Sequence, residues 1–123
     1  MESPILRQRT DEREHVLILD NRRDESTEYS YKTLKVQIGR EADHSKPTIY
    51  EVFLTKNYQV LDLLVAFEVY FNLNNLKMFY IDTYNREHIV RRERWIGDFE
   101  NESSVLLAEE PAKLARGIEK IKK

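Results

Sequence analysis

Residues 60–71 (VLDLLVAFEVYF) hold ten apolar side chains and only two charged ones, Asp62 and Glu68. Leu61, Leu64, Val65, Phe67 and Phe71 recur at spacings of three and four, which predicts a helix with one broad apolar face. The run falls short of the ~20 apolar residues a bilayer span needs, so the helix is expected to lie across a sheet. Strands are predicted on both sides of it. In residues 31–40, Leu34, Val36 and Ile38 alternate with Lys35, Gln37 and Gly39, the period-two pattern of a half-buried strand. Residues 48–55 (TIYEVFLT) are rich in β-branched and aromatic side chains, and the turn-rich loop 41–47 joins the two as an antiparallel hairpin. After the helix, 77–83, 88–91 and 103–109 read as three more strands, with a turn at 84–87 and an irregular stretch at 95–102. Asn57 is the expected N-cap, and Asn72, Asn74 and Asn75 are expected to close the helix, because Asn tolerates the left-handed conformation. The predicted core is Leu34, Val36, Ile38, Val52, Leu54, Leu61, Leu64, Val65, Met78, Tyr80, Val105 and Leu107.

Outside this block the pattern changes. Residues 1–30 form a polar N-terminal extension with little structure expected over 1–14. Its one apolar island, 15–20 (HVLILD), is expected as an added edge strand, a segment packed on its own domain or a docking peptide, and 21–30 reads as a linker. The domain proper is 31–109. Residues 110–123 are a basic amphipathic helix or tail, with Leu114, Ile118 and Ile121 at helical spacing and Pro111 at the first turn.

Charge refines this division. Net charge is −3 over 1–30, −1 over 31–108 and +2 over 109–123, within a total of −2. With 34% charged residues but so small a net charge, no strong field draws the chain to nucleic acid or membrane. The chain has no cysteine, which excludes a disulfide framework and thiolate metal sites and suits a reducing compartment. Residues 1–13 lack the apolar stretch of a secretory signal, so cytoplasm or nucleus is the expected location.

An α+β order of two strands, one helix and three strands (ββαβββ) in a mixed sheet resembles the ubiquitin-like β-grasp family over 31–109. Ile96, Gly97, Asp98 and Phe99, followed by Glu102, Ser103, Ser104, Val105, Leu106 and Leu107, are similar to the family's closing segment, a Leu-Ser-Asp-Tyr turn before Glu-Ser-Thr-Leu and the last strand. The first loop is longer here and the stretch before the last strand about two residues shorter. The alternative is another α+β sandwich with the same elements in a different strand order. The resemblance implies a docking module rather than a conjugated modifier, since Glu109, Glu110 and Pro111 follow the last strand where a modifier carries Gly-Gly. It also implies an apolar recognition patch on the sheet face away from the helix. The positions that fall there are Phe79, Leu106 and Ala108, each out of phase with the predicted core; the patch is either free or covered by residues 15–20 or the C-terminal helix. Arg40 lies near the hairpin position that completes the family's patch, which puts ubiquitin-type partners in doubt. The Ras-association relatives use basic residues on the second strand and helix; Glu51 and Asp62 stand there instead.

No catalytic, cofactor-binding or metal-binding residue is expected. Gly39, Gly97 and Gly117 are too dispersed to cradle phosphate, and no G-x-S-x-G or H-E-x-x-H motif occurs. His15, His44 and His88 fall in separate segments. Asp62 and Glu68 are six apart, so they do not stack as a pair of acids, and both are expected in solvent. The sequence therefore predicts a non-enzymatic, protein-binding adaptor or scaffold. The alternative is a structural subunit of a larger assembly that docks through its charged extensions.

Overall fold

The computed structural model describes residues 4–8, 15–21, 31–39, 48–101 and 103–109. The first loop (41–47), the C-terminal tail (110–123) and all but the first residue of the predicted linker (21–30) lie outside the described residues, as do Arg40 and His44. The elements are β1 (Ile5–Gln8), β2 (Val16–Asp20), β3 (Lys32–Ile38), β4 (Thr48–Leu54), α1 (Val60–Phe71), β5 (Lys77–Ile81), β6 (Glu87–Val90), a 3-10 turn (Ile96–Asp98) and β7 (Ser103–Ala108). All seven strands join one mixed sheet in the order β1-β2-β4-β3-β7-β5-β6. The β2/β4 and β3/β7 pairs are parallel and the others antiparallel.

The alternation in β3 sends Leu34 and Val36 to the face that meets Val52 and Leu54 of β4 and Val105 and Leu107 of β7. Helix α1 lies on that face and presses Val60, Leu63, Leu64, Ala66 and Phe67 into it. Leu61, Val65 and Tyr80, predicted as core, are instead exposed. The correction has a physical cause. Ten of twelve apolar residues leave almost every helical face greasy, so periodicity fixes the element but not its rotation. The sheet settles the rotation by taking the face with Phe67. Tyr80 is exposed because the β5/β7 ladder ends at the Phe79–Leu106 pair. Beyond that point Tyr80 has no β7 partner beside it and stacks on its β6 partner His88 with ring centroids 4.8 Å apart.

The helix ends are held by side chains expected in solvent. The N-cap is Gln59, not Asn57, and its N–H donates to Asp62 Oδ2 at 3.0 Å. At the other end Asn72 takes the left-handed conformation at φ 56°, as predicted for Asn. Glu68 Oε2 accepts the N–H of Leu76 at 2.8 Å, fixing the chain as it leaves the helix.

The apolar island is an interior strand. Every residue of β2 is buried, which is why it reads as a continuous apolar run rather than an alternating one. Leu17 and Leu19 join the same core as α1, and so does Leu6 of β1. Strand β1 falls where little structure was expected, because a stretch with two adjacent apolar residues gives no periodic signal. Its place is fixed by pairing with β2 and by Arg7, whose Nη2 and Nε donate to Asp20 Oδ2 at 2.8 and 3.2 Å. The Asp20 carboxylate is almost fully buried, and an unpaired buried carboxylate is costly. Arg7→Met is therefore expected to lower stability by about 1–3 kcal/mol, the range for a buried acceptor that loses its partner, and Asp20→Asn in the same background should recover part of it. Urea unfolding of the three variants checks both; equal stabilities would contradict the anchoring of β1.

Candidate interaction surface

Strand phase places Phe79, Leu106 and Ala108 together on the sheet face opposite α1. Phe79 and Leu106 are direct partners across β5 and β7. The three form a separate cluster and are not exposed, at 3%, 4% and 6% of full exposure. They take the expected face, and of the two alternatives for it, free or covered, their burial is that of a covered face. Sequence phase reports which side of a sheet a residue takes, but not what else comes to lie over it.

The exposed apolar surface is on the helix. Leu61, Val65, Val69 and Tyr70 are 40%, 40%, 77% and 42% exposed. Leu61, Val65 and Val69 follow at spacings of four and make one stripe along the outer side of α1. Sequence pattern contains these residues but assigns Leu61 and Val65 inward; the signal that separates them is the excess of apolar residues over what one buried face can use.

A groove of about 230 Å³ runs beside this stripe, lined by Leu64 of the helix, Met78 and Val90 of the sheet, and the polar side chains of Lys77, Arg91 and Arg92. Its position depends on the chain that follows β6. The first N–H groups of a helix lack partners within it. Here Val60 N donates to Arg94 O and Leu61 N to Arg92 O, both at 2.9 Å, while Ile96 N donates to Tyr58 O at 2.8 Å. Gln59 Nε2 reaches Glu93 O at 3.0 Å. Residues 91–99 are thus strapped to the helix N-terminus. Lys32 Nζ closes the far side by donating to the carbonyls of Gly97, at 3.1 Å, and Phe99. Asn57 Oδ1 accepts Gly97 N at 2.6 Å. A Cβ at Gly97 would stand 2.8 Å from both Asn57 Oδ1 and Tyr31 Oη, so a larger residue displaces that bond.

Two other features gather polar side chains. A cleft of about 460 Å³ opens where β5 and β7 part, with Tyr80, Phe99 and Val105 on its walls and Arg94, Asp98 and Glu100 at its mouth. Asp82 organises the β5–β6 hairpin turn. Its Oδ1 accepts the N–H groups of Tyr84 and Arg86 at 2.9 and 2.8 Å, and its Oδ2 meets Arg86 Nε and His88 Nε2 at 3.0 and 2.7 Å. His88 first, then the Arg86 N–H, hold this carboxyl well below the usual carboxylate range. It is a fixed anion that shapes a turn. His15 packs edge-on against Tyr50. Among the described residues no group of three His, Asp or Glu side chains could hold a metal ion, and no helix is long and apolar enough to cross a membrane. No family model, curated protein or solved structure matches this chain.

Two outcomes are expected. Lys32→Met leaves the Gly97 and Phe99 carbonyls without their ammonium partner and should destabilise the fold by about 1–2 kcal/mol, with faster amide exchange in residues 91–99; unchanged exchange there contradicts the strap. An unfolded aspartate titrates near ~3.9 and Asp82 in the fold titrates lower. Its contribution is therefore complete above about pH 4 and is lost as pH falls towards the folded-state value. Asp82→Asn should flatten the acid limb of a stability–pH curve, and a parallel curve would contradict that role.

Proposed function

We propose that this chain is a non-catalytic, non-conjugated protein-interaction domain with a ubiquitin-like β-grasp core over 31–109, working in the cytoplasm or nucleus as an adaptor or scaffold. The order β4-β3-β7-β5-β6, with the parallel pair β3/β7 at its centre and α1 between its second and third strands in sequence, supports the β-grasp reading. Strands β1 and β2 extend that sheet from the N-terminal side. One observation carries the functional reading: the apolar stripe Leu61, Val65, Val69 is left outside although the core is filled without it. Contiguous exposed apolar surface marks interaction sites. The expected docking patch moves accordingly from Phe79, Leu106 and Ala108, which are buried, to the outer side of α1. The alternative, a subunit held through its extensions, is weakened because the apolar island of the N-terminal extension is already used in the chain's own core.

The test is photo-cross-linking in cells from a benzoylphenylalanine at position 69. Discrete protein adducts are expected, reduced by about tenfold with Leu61→Asp and Val65→Asp, substitutions at exposed positions that leave the fold intact. Ile49→Asp, on the other sheet face and also exposed, should leave the adducts unchanged. Adducts that persist with charge at 61 and 65, or none at all, would overturn the reading.

A further inference from the structure

We propose that the groove between α1 and β6 receives an extended, acidic segment of a partner protein, which adds to the sheet along β6 and lays alternate apolar side chains against the helix. The inference rests on the interaction-domain reading and adds the chemistry of the partner.

Three observations carry it. The first is the open edge. Strand β6 ends the sheet, so among the described residues its outer side faces no further strand. A sheet edge offers its outward N–H and C=O groups to a strand from another chain.

The second is the position of the groove relative to that edge. A strand beside β6 would send every other side chain to the helix side of the sheet. There it meets the groove over Leu64, Met78 and Val90, which line it with most of each side chain buried, and Leu61 stands exposed one turn before Leu64 on the helix. The intervening side chains would fall beside Ile89, which is exposed, pairs with Phe79 and so shares its face, and also borders the groove. An extended partner with a period-two apolar pattern fits both sides at once, and a helix would use only one.

The third is charge. Lys77, Arg91 and Arg92 line the groove with one acid, Glu93. Glu93 lies 3.9 Å from Arg91, and both side chains are largely in solvent, so the pair neutralises little. The acids of α1 are engaged elsewhere, Asp62 with the Gln59 N–H and Glu68 with the Leu76 N–H. The strap through the carbonyls of Arg92, Glu93 and Arg94 fixes the backbone that carries the arginines, which lowers the ordering cost of binding. Glu87 stands at the other end of β6. The positive potential therefore lies at the Arg91–Arg92 end, and the acids of the partner belong there.

The probe is a fluorescein-labelled synthetic peptide of about ten residues with Ile or Leu alternating with Thr and three Asp at one end. The control carries Lys in place of Asp. Anisotropy titrations use the full chain. The acidic peptide is expected to bind about tenfold or more tighter than the basic one and to weaken as salt is raised. Arg91→Glu with Arg92→Glu should reverse the preference, Lys77→Glu, which lies outside the strap, should narrow it, and Ile49→Asp should have no effect. Amide shifts should centre on 87–93. Equal affinity for the two peptides, affinity unmoved by the charge reversals, or no binding of the acidic peptide would overturn the inference. In that event, cross-links from position 69 that remain sensitive to Val65→Asp leave the interaction reading standing, and their loss removes both.

Discussion

The packing of α1 against the sheet is the contact on which the rest of the structure depends. Phe67, Leu63, Leu64 and Val60 fill the space above Leu34, Val36, Val52, Leu54, Met78 and Leu107, and all of these are essentially without solvent contact. Burial of each such side chain contributes on the order of 1.5–3 kcal/mol before entropy. A hairpin alone could not shield one face from water. Once the helix sits there, its ends need partners, and the polar residues around it supply them. The strap of 91–99 meets the first N–H groups, and Asn72 with Glu68 closes the last turn. The N-terminal strands enlarge the same core rather than adding a second one.

That contact also decides what is left outside. A twelve-residue helix buries about half its circumference on one sheet, and this helix is apolar nearly all round. The surplus is the stripe of Leu61, Val65 and Val69. The distribution of acids shapes the surface next to it. Asp20, Asp62, Glu68 and Asp82 each hold a named N–H or cation within the fold, while Arg91 and Arg92 project from a fixed strap. A chain with a net charge of −2 thus presents a locally basic rim beside its exposed apolar helix face.

Much of the fold was legible in the sequence, and the failures have physical causes. The bounds of α1 match because a dense apolar run ends in asparagines that accept φ of 56°. Strands β3, β4, β5 and β7 were read to within about two residues because alternation survives wherever one face is wetter than the other. The rotation of α1 was not legible, since a helix with ten apolar positions has no single moment direction that excludes the others. Strand β1 was not legible either: a short strand stabilised by long-range pairing and by Arg7 on Asp20 leaves no local mark. Whether the predicted patch is free or covered is a non-local matter of the same kind. The phase of Phe79 and Leu106 is written in the alternation of their own strands, whereas their burial depends on residues far away in sequence.

The orientation of α1 is the claim that both the core and the proposed surface share, and cysteine scanning tests it directly because the chain has no cysteine of its own. Single cysteines at positions 63, 65, 67 and 69 would be labelled with a thiol reagent under native conditions, each rate referred to that of the unfolded chain. The account predicts rates near the unfolded value at 65 and 69 and strong protection at 63 and 67. Protection at 65 with rapid labelling at 63 would mean that the helix turns its other side to the sheet, which would contradict both the core and the surface described above.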